Sequence, residues 1–427
     1  MTKRLNNLKN SFIDQIKTIH HFLYFFTTKL RLSNPWNFKV PFLISIPYML
    51  LLLSGNNDFA LKGILASICT IIGIAGFGYL TNDLGDRNKD KIIQKENVTC
   101  DLSNVSLVLL FVLFLSLAIA PWFYFPMRKW SYLLLFTQFF LFYIYAFPPF
   151  RFKEKGELGV VVDSLYAHVN PAILAAYTFY LFTEETYQNF VSFIIFLGLW
   201  QFFVGIRGIL FHQHKDYLND INSGTKTFVT SIGKQKVSVL LKYIVLPIEA
   251  FTFILFASYF SFDQIYFLPI IITYWSWIII KLKLNNTLKK VDFRSLAYQL
   301  LDNYYTLWIP VVILLGLVSN PTFNTISLLI LHTILFKSVI NLFFNWLNNK
   351  YSVIYRLFKF ESWIEGAIAN GLVFILYTLV LLGVYIGVKC CSAENIEIVE
   401  LQLIFFRALI LILVVQLLLL VYFRFRR

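Results

Sequence analysis

The chain has 427 residues, 58% of them hydrophobic and 14% charged, and carries a formal net charge of +14. This composition excludes an ordinary soluble protein, and the apolar residues come in runs of about 20, the length of a membrane-spanning helix. In that setting the positive balance reads as positive-inside bias and attraction to anionic lipid, not as nucleic-acid binding.

In chain order, residues 1–37 are basic and aromatic. Leu5, Leu8, Phe12, Ile16, Ile19 and Leu23 recur at roughly helical spacing, with Lys3, Arg4, Lys9 and Lys17 elsewhere on the turn. This predicts an interfacial helix on the cytoplasmic leaflet, ended by Ser33-Asn34-Pro35. The segment is too long and too basic to resemble a cleavable leader. Spans are then expected near 38–55, 60–82, 103–125, 131–148, 158–182, 190–211, 237–260, 264–282, 303–319, 322–346, 366–389 and 400–424. The cysteines Cys69, Cys100, Cys390 and Cys391 form no CxxC pair and no disulfide framework.

Lys and Arg in the short loops predict orientation. With the N-terminus in the cytoplasm, alternate loops collect Arg87 to Lys95, Arg151 to Lys155, Lys215 to Lys236, Lys281 to Arg294, Lys350 to Lys359, and Arg424 to Arg427. The opposite loops hold only Arg128, Lys129 and Lys389. The expectation is a multi-pass protein of a bacterial inner membrane with both termini cytoplasmic. Residues 38–320 form a transmembrane core, and the basic, aromatic loop 347–365 sets off a C-terminal extension within 321–427.

Two acidic stretches interrupt this apolar chain, each at the exit of an even-numbered span. Residues four apart lie nearly above one another on an α-helix. Asn82, Asp86 and Asp90 therefore form one ladder, with Asp83 turned away, and His212, Asp216 and Asp220 form another. Such oxygen-rich ladders suit Mg²⁺, which retains waters and substrate phosphates in its shell. A solvated helix end explains either ladder alone; two matched ladders at equivalent helix ends argue for a shared site, in two related halves of the first nine spans. Arg207, inside the sixth span, is costly there and is expected to face inward and bind the diphosphate, with a structural partnership to an acidic or carbonyl group as the competing role. Asp163, His168 and Asn170 on the fifth span are expected to line an acceptor pocket, with Asp163 able to take a proton from an acceptor hydroxyl. Helix–helix hydrogen bonding is their alternative role.

These residues resemble the UbiA superfamily of intramembrane prenyltransferases. Asn82-Asp83-x-x-Asp86-x-x-x-Asp90 looks like its first aspartate-rich motif. Asp216-x-x-x-Asp220, with Gly224-Thr225-Lys226-Thr227 and Ser231-Ile232-Gly233 after it, is similar to the second. Tyr145-Ala146-Phe147-Pro148-Pro149-Phe150-Arg151-Phe152-Lys153 resembles the short loop after the fourth span. The resemblance covers roughly residues 30–320. It implies an all-α bundle of nine helices around a central cavity, plus about three additional C-terminal spans. It further implies a prenyl group moved from a polyprenyl diphosphate to an unidentified acceptor, with Mg²⁺ as cofactor and the lipid bilayer as surroundings. Asn82, Asp86, Asp90, Asp216 and Asp220 would be metal or diphosphate ligands, and Arg151, Lys153 and Lys226 diphosphate contacts. Members acting on aromatic acceptors often carry Tyr and Lys eight and four residues before the second motif. Gly208 and His212 stand there instead, which leaves His212 as a phosphate contact or metal ligand. The alternatives are phosphoribosyl transfer from a diphosphate donor to polyprenyl phosphate, cyclisation of a prenyl diphosphate and, outside enzymes, a membrane transporter.

Overall fold

A computed structural model describes residues 25–55, 60–183, 190–263, 301–302, 304–318 and 321–340. These residues are helical, with no β-strand among them. The long helices are α1 (Val40–Ser54), α2 (Ala60–Ile92), α3 (Asn104–Phe123), α4 (Lys129–Ala146), α5 (Glu157–Phe182), α6 (Phe190–Asn222), α7 (Lys234–Ala257), α8 (Tyr304–Val318) and α9 (Phe323–Leu335). Five of them, α2, α3, α5, α6 and α7, are long and apolar enough to cross a membrane. The spans expected near 264–282, 366–389 and 400–424 lie outside the described residues, as do most of the N-terminal helix, Cys390, Cys391 and the loop 347–365.

Contacts divide the chain into one compact unit of residues 1–256 with 292–336, and a second of 257–291 with 337–427. In the first, α1 is apolar all round and enclosed, residues 40–51 all being buried. It packs on α5 and α8, while α2 pairs with α3 and α4, and α6 with α5. The helix α9 packs on α2 and α8 and so belongs to this unit. Val105, Val108, Leu109 and Val112 on α3 and Phe136 and Phe140 on α4 are exposed, the outward apolar face a bilayer would cover.

Two helices depart from their expected ends. Both α2 and α6 run for 33 residues, or about 50 Å at the rise of an α-helix. A hydrocarbon core of about 30 Å cannot contain that length, so each helix carries its acidic stretch as a projecting C-terminal end. Ser33-Asn34-Pro35 also differs from expectation: it opens a short helix, Ser33–Phe38, because proline is compatible with a first helical turn.

The α2–α3 crossing requires glycine. A Cβ on Gly73 would lie 2.2 Å from the backbone nitrogen of Ala118, which has nowhere to rotate. Gly73→Ala is therefore expected to cost about 1–3 kcal/mol through overpacking. Gly198→Ala on α6, where the nearest atom is Ile173 Cδ1 at 3.5 Å, should be near neutral; equal effects of the two in a detergent-unfolding titration would contradict this packing. In α5, Pro171 has no N–H to bond the preceding turn, and Leu165–Val169 widens into a π-helical turn. That turn carries Tyr166 and His168, which line the cavity described next.

Candidate active site

The projecting ends of α2 and α6 share one cavity of about 510 Å³, bounded by α1 to α6. Its lining includes nine expected residues: Asn82, Asp86, Asp90, Lys153, Asp163, His168, His212, Asp216 and Asp220. The helical register thus brings both ladders to the same space.

On the α2 side the loop after α4 folds onto the first ladder. Lys153 Nζ donates to Asp86 Oδ1 at 2.5 Å and lies 3.4 Å from Asn82 Oδ1. Arg151 lies in the left-handed region (φ 38°) and donates from Nη2 to Asp86 at 3.1 Å and from Nη1 to the Gly85 and Ala146 carbonyls. The approach needs Gly85, where a Cβ would meet the Ala146 carbonyl oxygen at 2.8 Å. Glu154 accepts from Arg151 Nε at 2.5 Å and from Lys89 Nζ at 2.8 Å. Burial pulls the Lys153 ammonium below its usual range, and the neighbouring Asp86 opposes that only in part. Burial acts to raise the Glu154 carboxyl, but Lys89 and Arg151 together hold it below the usual carboxylate range.

Asp83 faces away from this cluster, as the helical register predicts. It is buried, is paired with Arg31, and its carbonyl accepts from Asn97 and Thr99. Asn97 also donates to Asp90 Oδ2 at 2.8 Å while capping the helical turn Val98–Asp101. One amide thereby fixes both the loop and the third rung of the ladder.

On the α6 side, Asp216 lies 3.6 Å from His212 Nδ1 and 3.8 Å from Lys95 Nζ. Lys95 comes from the loop after the first ladder and so crosses to the second. Asp220 accepts from Thr227 Oγ1 at 3.3 Å. Gly208 lines the cavity too, and a Cβ there would meet only His168 Nε2, at 3.7 Å; the glycine leaves space. Deeper in, Tyr166 donates to Asp163 at 2.5 Å, and the Tyr145 ring packs edge-on to Tyr166 at 5.0 Å. Lys39, just before α1, lines the same region.

Three expected site residues lie elsewhere. Arg207 does not face the cavity. It is 3% exposed and bonds Glu249 through Nε at 2.7 Å and Asp302 through Nη2 at 2.6 Å and Nη1 at 3.1 Å. The competing role, a buried acidic partner, is the one the structure has, because two carboxylates already neutralise the guanidinium. Lys226 is exposed and outside the cavity lining. Asn170 turns to α4, donating to Gln138 Oε1 at 2.7 Å and to the Leu134 carbonyl, so it joins helices.

Among the described residues no three His, Cys, Asp or Glu side chains converge closely enough to hold a metal alone. The donor set nevertheless fits Mg²⁺ accompanied by an anion. The lining holds five carboxylates, Asp86, Asp90, Asp163, Asp216 and Asp220, and five cations, Arg31, Lys39, Lys89, Lys95 and Lys153. A metal alone would meet these cations and an anion alone the carboxylates. Metal and diphosphate together answer both, which is how Mg²⁺ is usually held.

Fold and cavity define a polytopic helical membrane protein with a cavity lined by both carboxylates and cations. The chain belongs to the UbiA prenyltransferase family, whose sequence model matches residues 40–301. Solved structures of a UbiA homologue from Archaeoglobus fulgidus are similar to it. The form bound to GPP and Mg²⁺ is 18% identical, covering 68% of this chain and 99% of its own, with a TM-score of 0.47. The form bound to DMAPP and Mg²⁺ is 18% identical, covering 68% and 98%, with a TM-score of 0.46. No curated protein sequence matches the chain.

Proposed function

We propose that the protein is a Mg²⁺-dependent enzyme that ionises a prenyl diphosphate within the membrane and transfers the prenyl group to an acceptor. The observation that carries this reading is the meeting of the two ladders, on α2 and α6, in one cavity with matched acidic and basic linings. The Lys and Arg bias supports a cytoplasmic position for this polar end.

Asp86 and Asp90 on one side, and Asp216 and Asp220 on the other, would hold the metal. Mg²⁺, when bound, supplies charge neutralisation for the departing diphosphate. Lys153, on Asp86 in the cavity lining, would contact diphosphate oxygens, as would Lys89 and Lys95 of the same lining; Arg151 bonds the same Asp86 from outside that lining. The bond between C1 of the prenyl group and its oxygen breaks, and the electron pair leaves with the diphosphate. Tyr79, Phe142, Tyr145 and Tyr166 line the adjoining wall, where ring faces favour the allylic cation. The acceptor nucleophile forms the new bond to carbon, and Asp163, oriented by Tyr166, takes the proton it releases. With Gly208 and His212 on the acceptor side, the wall is open and carries an imidazole at the second ladder.

Purified full-length protein, incubated with Mg²⁺, a labelled prenyl diphosphate and a membrane-lipid extract as acceptor source, should release diphosphate and give a prenylated lipid. The same mixture without Mg²⁺ should give neither. Absence of release with donors of every chain length, together with solute flux in vesicles, would replace this reading with transport.

A further inference from the structure

Asn97 lies outside both acidic stretches, yet it is bonded to the first of them. Beyond α2 the chain turns back on itself: Gln94 lies in the left-handed region (φ 54°), and the Lys95 amide donates to the Asp90 carbonyl at 2.9 Å. The turn returns Asn97 to the third rung of the ladder, where it is 5% exposed. Its Nδ2 donates to the Asp83 carbonyl at 2.7 Å and to Asp90 Oδ2 at 2.8 Å. Its Oδ1 accepts from the Thr99 amide at 3.0 Å and from the Thr99 hydroxyl at 2.6 Å. A side-chain amide has two donors and two acceptor lone pairs, so every bond it can make is made. Turning the amide over would set its oxygen against two oxygens, and the Asp83 carbonyl and Thr99 amide, both backbone groups, hold it from two sides.

Asp90 lines the cavity. With Oδ2 held by the amide, Oδ1 is the oxygen left for a cation there. Asp90 thus offers one oxygen in a fixed direction, and ligation through both oxygens would strain or break the Asn97 bond. Mg²⁺ demands near-ideal octahedral geometry at short distance, whereas Ca²⁺ takes one or both oxygens of a carboxylate at longer and more variable distances. A partner that orients a metal ligand raises affinity for the metal whose geometry it matches. We infer that Asn97 is a positioning residue that holds Asp90 to single-oxygen ligation and so favours Mg²⁺ over Ca²⁺. This rests on the reading of the same cavity as a metal–diphosphate site.

Asn97→Ser keeps a capping oxygen for the Thr99 amide at the start of Val98–Asp101 and is too short to reach Asp90. Thr99→Val loosens the same turn and leaves the bond from Asn97 to Asp90 in place. The purified full chain, carrying a non-ionisable prenyl thiolodiphosphate, is to be loaded with Mn²⁺, and the Mn²⁺ displaced by Mg²⁺ or by Ca²⁺ while its electron paramagnetic resonance signal is followed. The wild type should prefer Mg²⁺. Asn97→Ser should bind Mg²⁺ about tenfold more weakly, the lower end of what the partner of a metal ligand is worth, and Ca²⁺ nearly as well as before, so the preference falls by almost the same factor. Thr99→Val should keep the wild-type preference. A preference unchanged in Asn97→Ser, lost equally in Thr99→Val or absent from the wild type would overturn the role of Asn97 and leave the metal site standing. No Mn²⁺ binding by the wild type with the analogue would refute the metal–diphosphate reading, and the role of Asn97 with it.

Discussion

Asp86→Asn and Asp216→Asn, made singly, are each expected to lower prenyl-transfer turnover by at least about a hundredfold, the scale seen when one electrostatic contact to a developing charge is removed. Asp86 is the common partner of Lys153 and Arg151, and Asp216 that of His212 and Lys95. Each substitution keeps the side chain's shape and removes one negative charge from its half of the site. The two halves act on one diphosphate, so the double variant should be little worse than either single one. Asp101→Asn, at an exposed position one helix away, is the control and should leave turnover unchanged. Near-wild-type turnover in both site variants, in protein that elutes and melts normally, would remove the two-ladder site.

The second large effect concerns stability. Arg207→Met is expected to cost about 3–5 kcal/mol, because it strands two carboxylates in the bundle. Glu249 is fully buried, and the Arg207 guanidinium is the cation that neutralises it. Arg207 also ties α6, which carries Asp216 and Asp220, to α7 through Glu249 and to residue 302. Replacing the triad together, as Arg207→Met with Glu249→Leu and Asp302→Leu, should recover most of the loss, since a buried ion pair and a well-packed apolar substitute differ little. A denaturant titration in detergent measures both. A single variant as stable as the wild type would mean that Arg207 does not neutralise those acids.

Asn82, Asp86 and Asp90, and likewise Asp216 and Asp220, were legible because the four-residue period is local and stands against an apolar background. The helical register alone turned Asp83 away from them. The all-helical class, and the five spans that the described residues bear out, were legible for the same reason. Arg207 was legible as an anomaly but not as a tether: its partners lie 42 and 95 residues further on, and only tertiary packing chooses between a ligand and a carboxylate. Glu249, an acid in the middle of the seventh apolar run, was the available signal. Lys95 counted only as loop charge, because its crossing from the first ladder to the second depends on how α2 and α6 approach. Asn97 gave no signal, since an asparagine in a polar loop is unremarkable until the turn at Gln94 is known to bring it back to Asp90.

In the proposed reaction metal and diphosphate share the cavity of the two ladders and need each other there. Mn²⁺ binding to the purified protein, followed by electron paramagnetic resonance with and without a non-ionisable prenyl thiolodiphosphate, tests it most directly. Weak Mn²⁺ binding alone, strengthened at least tenfold by the analogue and lost in Asp86→Asn and in Asp216→Asn, is the predicted result, and linkage requires an equal strengthening of the analogue by the metal. Mn²⁺ affinity that is indifferent to the analogue, or that survives both substitutions, would contradict the account.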